Sequence, residues 1–280
     1  MTMASPIGIK AKLLKHSMKP CLTKGYIAAK GDKHCYACGS DVTEWVFSEV
    51  INDELASTWD LTPELIHSFN LRESMLCPNC SSSFRLRLLA ESMSIIYGGG
   101  MSLKEMISNN SLDGIDVAEI NSCGNLHQFL GQIPGIAYSE YGSKNKDVRS
   151  EDLKRLSYEN KEFDLVLTSD TLEHVPDFKA ALSEIHRVLK PGGMHIFTIP
   201  VVWNRVTRQR ATIQGKKVTN LFEASYHGSG EPDYLVFSEF GYDVIEAVES
   251  VGFDLKIFKI NLLNINDTSG VFIARKTGDS

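Results

Sequence analysis

An α/β fold, with helices wound on both faces of a mostly parallel sheet and a small cysteine-bearing module ahead of it, is what this sequence predicts. Three observations predict it. Strand-like and helix-like stretches alternate from about residue 100 onward, the pattern of crossover units that build a parallel sheet. Two of the strand stretches, "FDLVLTS" and "MHIFTIP", are nearly unbroken apolar runs, as strands covered on both faces are. Four of the six cysteines fall in two C-x-x-C pairs.

Composition fits such a fold. A chain of 280 residues that is 42% hydrophobic can bury a full core, so disorder and fibrous repeats are poor descriptions of it. No run of about 18 apolar residues occurs, which argues against a membrane span. The start, "MTMASPIGIKAKLLKHSMKP", has neither the apolar stretch of a secretory leader nor the Arg/Ser richness of a transit peptide, so a cytoplasmic location is expected. Residues 1–34 hold seven lysines and one aspartate, a basic arm of +6; with a total of −6, the rest carries −12. An acidic body makes a nucleic-acid partner unlikely as a first expectation.

The pairs Cys35-Tyr-Ala-Cys38 and Cys77-Pro-Asn-Cys80 have the spacing with which paired thiolates reach one tetrahedral ion, so a structural zinc site is expected at Cys35, Cys38, Cys77 and Cys80. Four sulfur ligands would close the site, leaving it no chemistry beyond holding the fold. Disulfides are disfavoured without a leader, and Cys21 and Cys123 belong to no framework. His34 is an alternative ligand. Between the pairs, "LTPELIHSFN" predicts a helix with Thr62 as N-cap and Pro63 at its first position.

After the second pair, "SSFRLRLLAESMSIIYGGG" predicts a helix capped by Ser82 or Ser83, with Phe84, Leu88 and Ile95 on one face and glycines at its end. A boundary is expected there, giving an arm at 1–34, a zinc-binding module at 35–97 and a second domain at 98–280. Ser102 with Glu105 three residues later predicts a capping-box start to the next helix. Next come "LDGIDVAEI" as a strand, "GNLHQFLGQ" as a helix, "GIAYSEY" as a strand, "SEDLKRL" as a short connection, and "FDLVLTS" as a buried strand. Asp177 to Leu189 then puts Phe178, Ala181, Leu182, Ile185, Val188 and Leu189 on one helical face, "KPGG" is expected to end that helix, and "MHIFTIP" follows as a strand. In such sheets ligands bind at the carboxyl ends of the strands.

Phe163 to Pro200, "FDLVLTSDTLEHVPDFKAALSEIHRVLKPGGMHIFTIP", closely resembles the fourth-strand to fifth-strand region of the class I S-adenosylmethionine-dependent methyltransferases. "FGYDVIEAVESVGFDLKIFKI" and "GVFIARKT" resemble that family's closing helix and last strands. The resemblance covers roughly residues 100 to 280. It implies a seven-stranded doubly wound sheet, S-adenosylmethionine as cofactor, and direct in-line methyl transfer, in which orientation alone contributes about 7–11 kcal/mol.

Residue by residue, the resemblance assigns Glu140 in "YSEY" to the ribose hydroxyls, with Asp152 and Leu153 contacting the adenine. Asp170, at the polar end of the fourth strand, is assigned to the methyl-donor site and to catalysis. Glu119 lies 21 positions before Glu140, near the usual interval between loop and ribose acid. With Glu119 closing the first strand, the family's glycines fall at Asn121, Cys123 and Asn125, while Gly124 is one position off register. Asn is the commonest substitute where positive φ is needed. A β-carbon at Cys123 would crowd a cofactor unless a one-residue bulge brings Gly124 to the closest point.

His174 of "LEH" reads as a structural residue, and His227 of "SYHGSG" as a candidate general base. "NRVTRQRATIQGKK" carries Arg205, Arg208, Arg210, Lys216 and Lys217 without an acid, a stretch suited to an anionic substrate group. The resulting expectation is a methyltransferase acting on a small-molecule or glycan-like acceptor. An RNA methyltransferase using the zinc module for RNA contact is one alternative, and a non-catalytic binding protein on the same fold is another.

Overall fold

The computed structural model describes residues 25–29, 33–226, 234–259 and 266–278. The described residues open with an antiparallel ribbon of β1 (Gly25–Ala28) and β2 (Glu44–Phe47). Next come α1 (Asp53–Thr58), α2 (Pro63–Ser74), α3 (Phe84–Met93) and α4 (Leu103–Ser108). Local chemistry sets their starts. Asn52 accepts a hydrogen bond from the Leu55 amide at 2.8 Å, and Thr62 accepts one from Leu65 with Pro63 occupying the first turn, where its missing N–H costs nothing. Ser102 and Glu105 form the reciprocal capping box.

The sheet follows: β3 (Val117–Ile120), α5 (His127–Leu130), β4 (Ala137–Glu140), β5 (Arg149–Ser150), β6 (Phe163–Ser169), α6 (Phe178–Val188) and β7 (Leu189–Thr198). Short strands β8 (Arg208–Gln209), β9 (Ala211–Gln214), β10 (Lys217–Asn220) and β11 (Ser238–Glu239) make two small ladders beside it. The chain closes with α7 (Val244–Glu249), β12 (Phe253–Phe258) and β13 (Val271–Lys276). Strand order in the main sheet is β12-β13-β7-β6-β3-β4-β5, seven strands of which β13 alone runs against the others. The order reverses at β3, whose neighbours are β4 and β6, so the crevice for a ligand opens beyond the carboxyl ends of these three strands.

Alternating residues of the central strands serve two different cores. Val117, Leu165, Leu167 and Ile196 pack into a core shared with Trp45, Leu86, Leu89 and Met93, whereas Ala118, Val166 and Phe197 join the core under α6 and α7. The cysteine-bearing segment and α3 therefore cover one face of the sheet directly.

Two expectations are corrected. "KPGG" does not end α6; the helix stops at Val188 and Leu189 is already extended. Lys190 to Gly193 lie inside β7 as a bulge, between the pairs Phe163 with Leu189 and Leu165 with Met194. A β-carbon on Gly193 would sit 2.9 Å from the Lys190 carbonyl oxygen and 3.1 Å from those of Phe163 and Asp164, so close backbone approach is what requires glycine there. Ile95 does not share the buried face of α3. A π-helical turn, Ser94–Gly98, follows Met93; its extra residue rotates the helical face, and Ile95 is 59% exposed.

Candidate active site

The two cysteine pairs form congruent turns. In each, the first cysteine's amide donates to a carbonyl five residues on, Cys35 to Ser40 and Cys77 to Ser82, while the amides of Gly39 and Ser81 donate back to the carbonyls of Cys35 and Cys77. Gly39 and Ser81 both have positive φ, 79° and 58°. These turns bring the four sulfurs within 4.8 Å of one another, with Cys35 Sγ to Cys80 Sγ at 3.7 Å and Cys38 Sγ to Cys77 Sγ at 3.8 Å. Such distances are too long for disulfides. They equal the edge of a tetrahedron with a centre-to-sulfur distance of about 2.3 Å, which is the zinc–thiolate length. His34 is directed elsewhere, its Nδ1 lying 2.8 Å from Asp41 Oδ1.

The second turn touches the loop after β3. Asn125 Nδ2 donates to the Ser81 carbonyl at 2.7 Å and Gln128 Nε2 to the Cys80 carbonyl at 3.0 Å. Within that loop Asn121 and Gly124 have φ of 56° and 55°, the left-handed conformation that asparagine and glycine tolerate best. Asn121 Oδ1 accepts from the Tyr141 amide at 2.7 Å, tying the ends of β3 and β4 together. Glu119 is fully buried; its carboxylate accepts from the Cys123 amide at 2.7 Å and lies 2.6 Å from His127 Nδ1. Burial pushes its proton affinity up, with the Cys123 N–H and His127 opposing that shift.

A cavity of about 860 Å³ opens beyond the carboxyl ends of β3, β4 and β6. Asn121, Ser122, Gly124, Glu140, Asp152 and Leu153 line one end of it, and Asp170 lies at its floor. Glu140 Oε1 accepts from the Ser122 amide at 3.1 Å and from the Tyr138 hydroxyl. Asp152 Oδ1 accepts from the Lys154 amide at 2.9 Å. Of the residues assigned to a cofactor, Glu119 and Cys123 do not line the cavity. Cys123 is fully buried in the core cluster that also holds Leu86 and Leu126, so it crowds nothing in the cavity, which Gly124 lines instead. Glu119 acts one layer behind, closing the loop.

Asp170 is held rather than poised. Arg72 donates to both of its oxygens at 2.7 and 2.6 Å, Thr198 Oγ1 donates at 2.9 Å, and Arg85 Nε lies 3.2 Å away. Although burial opposes ionisation, the two guanidiniums and these hydrogen bonds keep its carboxyl far below the usual range. Both of its oxygens are engaged by these partners, an arrangement that suits a structural role. Glu73 completes the cluster, bonded to Arg72 and, at 2.9 Å, to Arg85.

Beside this cluster sits Glu173, a residue the sequence does not single out from its neighbour His174. Glu173 is fully buried, is among the residues around the cavity, and among the described residues has no hydrogen-bond partner for either carboxylate oxygen. Burial, then the nearby Asp170 charge, pushes its proton affinity well up. His174 Nε2 lies 3.8 Å from Glu173 Oε1, and its Nδ1 is 3.1 Å from the Leu235 carbonyl oxygen. His227 lies outside the described residues.

The cavity's other wall is apolar, built by Val50, Ile51, Leu55, Trp59, Leu61 and Phe69. These residues come from α1, α2 and the segments flanking them, and Trp59 Nε1 donates to Ser225 Oγ at 2.9 Å to anchor the wall to the rest of the molecule. The basic stretch is largely spent on internal pairs: Arg205 and Arg210 meet the buried Glu239, and Arg208 Nη1 lies 2.7 Å from Asp60. Lys216, in the turn between β9 and β10, and Lys217, the first residue of β10, are exposed.

Residues 125–197 match the family model described as a methyltransferase domain. Among curated proteins, demethylmenaquinone methyltransferase from Staphylococcus saprophyticus is 39% identical over 74 residues, covering 23% of this chain and 32% of that protein. The corresponding protein of Staphylococcus epidermidis is 38% identical over 74 residues, covering 23% and 31%. The match therefore spans about a third of the length of these relatives. Among solved structures, an S-adenosylmethionine-dependent methyltransferase from Mesorhizobium loti aligns with 14% identity and a TM-score of 0.36, covering 58% of this chain and 91% of that one. No helix among the described residues is long and apolar enough to cross a membrane.

Proposed function

We propose that this chain, which carries a class I S-adenosylmethionine-dependent methyltransferase domain, transfers a methyl group to a small acceptor with an apolar body, bound against the α1 and α2 wall. The observation that carries this reading is the convergence of Asn121, Gly124, Glu140 and Asp152 on one cavity at the sheet's switch point, with a separate apolar wall available to a second molecule. When bound, S-adenosylmethionine supplies a methyl carbon activated by a sulfonium.

The residues that would hold it follow from their chemistry. The left-handed Asn121 and Gly124 let the loop backbone come close to a ligand. Glu140 has one oxygen committed to Ser122 and Tyr138 and a second suited to accept from a ribose hydroxyl. Asp152 and Leu153 line the same cavity, which supports giving them the adenine. The wall of Ile51, Leu55, Trp59 and Phe69 fits a carbon-rich acceptor better than a glycan, whose hydroxyls would need partners there. The curated relatives, named for demethylmenaquinone, lend support to a small-molecule acceptor. The internal pairing of Arg205, Arg208 and Arg210 speaks against an anionic substrate or RNA held by that stretch.

In the same reading Cys35, Cys38, Cys77 and Cys80 hold one structural zinc ion, supported by their tetrahedral sulfur spacing. Calorimetric titration with S-adenosylhomocysteine is the test of the donor site. Binding is expected in the wild type, and Glu140→Ala should weaken it about 10- to 100-fold, the value of a charge-assisted hydrogen-bond pair. No binding by metal-loaded wild type would defeat the proposal.

A further inference from the structure

The carboxyl ends of the strands give the cavity a direction. Asp152 follows β5, Glu140 ends β4, Asn121 to Gly124 follow β3, and Asp170 follows Ser169 at the end of β6. These strands are neighbours in the order β6-β3-β4-β5, so three intervals of about 4.8 Å separate the first from the last. With the adenine given to Asp152 and the ribose to Glu140, the line continues over the loop after β3 to the end of β6. The groups that meet it there come from the cysteine-bearing segment: Glu73 in the last turn of α2 and Arg85 in the first turn of α3.

Both residues line the cavity, with side chains 27% and 17% exposed. Arg85 donates through Nε to Glu73 at 2.9 Å and through Nη1 to Ser169 Oγ, and its Nε lies 3.2 Å from Asp170. Among the described residues its Nη2 donates to none, and that nitrogen is not closed off from solvent. Each Glu73 oxygen takes one bond, from Arg72 and from Arg85, and a carboxylate oxygen has room for a second. Leu86, beside Arg85 in sequence, lies 3.3 Å from where a Gly124 β-carbon would be, which sets the start of α3 against the loop.

Building on the methyltransferase reading, we propose that Glu73 and Arg85 form the subsite for the amino-acid end of S-adenosylmethionine, Arg85 Nη2 donating to the α-carboxylate and Glu73 accepting from the α-ammonium. The local charge suits a zwitterion. Arg72 and Arg85 are paired with Glu73 and Asp170, two charges of each sign. A lone anion or cation added to that balanced set would leave a net charge in a largely buried place, whereas a zwitterion adds none. Asp170 serves as a positioning residue, holding both guanidiniums. The segment that carries the cysteines is thus part of the cofactor site as well as a cover for the sheet, gripping one end of the donor while Glu140 grips the other.

The test is calorimetric titration of zinc-loaded full-length protein with S-adenosylhomocysteine and with 5′-methylthioadenosine, which keeps the nucleoside and the sulfur and lacks the amino acid. Wild type should bind S-adenosylhomocysteine roughly 100-fold more tightly. Arg85→Lys, which keeps the charge and loses the fork, and Glu73→Gln should each cut that advantage about 10-fold. Affinity for methylthioadenosine should stay as in wild type, which also shows that the variant site is folded. The carboxamide of S-adenosylhomocysteine should bind more weakly than the acid to wild type and show little further loss in Arg85→Lys, as expected when Arg85 is the carboxylate's partner. The proposal is overturned if wild type binds the two ligands equally, if both variants keep the full advantage, if they weaken both ligands alike, or if the carboxamide is penalised as heavily in Arg85→Lys as in wild type. A wild type that binds neither ligand refutes the methyltransferase reading instead, which separates the two failures.

Discussion

At the scale of single residues, side-chain direction decides what a position can do. Cys123 stands where the resemblance puts a glycine, yet its side chain is buried in the core. Cys123→Ala should therefore cost on the order of 1 kcal/mol of stability through lost packing and leave affinity for S-adenosylhomocysteine unchanged; a gain in affinity would show that the thiol faces the ligand. Asp170 behaves oppositely, as a polar residue whose work is structural. Replacing it with asparagine leaves Arg72, whose side chain is 1% exposed, with Glu73 as its remaining acidic partner, at a cost of about 3 kcal/mol, the low end for breaking a buried pair. The sign with pH follows from its depressed proton affinity: the stabilisation is present above the ordinary carboxylate pKa of about 3.9 and is lost as pH falls below it. Urea unfolding should accordingly show a wide gap between wild type and Asp170→Asn at neutral pH that narrows under acid.

Among the elements, the cysteine turns and the loop after β3 act as one unit. Asn125 and Gln128 hold the second turn through two carbonyls, and Leu86, one turn into α3, lies 3.3 Å from where a Gly124 β-carbon would be. With zinc held as proposed, stripping it with a chelator should weaken binding of S-adenosylhomocysteine as well as lower the melting temperature, and calorimetry on stripped and reconstituted protein checks both. Most element starts were legible in the sequence because their signals are local: Thr62, Ser102 and Asp177 each cap a helix three residues from the amide they bind. The inserted π turn that exposes Ile95 and the bulge that absorbs "KPGG" were not, because a register shift leaves the composition of a helix or strand intact.

For the whole molecule, the apolar alternation of the central strands and the four-cysteine pattern made the sheet and the sulfur cluster readable in advance. The floor of the cavity was not. Arg72 meets Asp170 across 98 positions, and no short pattern ties two such residues together, so the sequence presented Asp170 as an available acid and hid Glu173 as the unbonded one. Residues between the two cysteine pairs and residues of the sheet both line the cavity, which makes its integrity a property of their contact. Metal removal should therefore also red-shift tryptophan emission, since Trp45 and Trp59 are each 3% exposed and sit in the segment that the sulfur cluster holds.

The bond from Trp59 to Ser225 joins positions 166 apart. During synthesis the apolar wall emerges from the ribosome long before its anchor exists, and an opened α1–α2 face of aliphatic and aromatic side chains must wait, uncovered, through most of translation. The cavity is thus a late product of the chain's own history, closed only when its far end arrives, and a stalled or shortened chain would leave a sticky surface where the finished protein has a binding site.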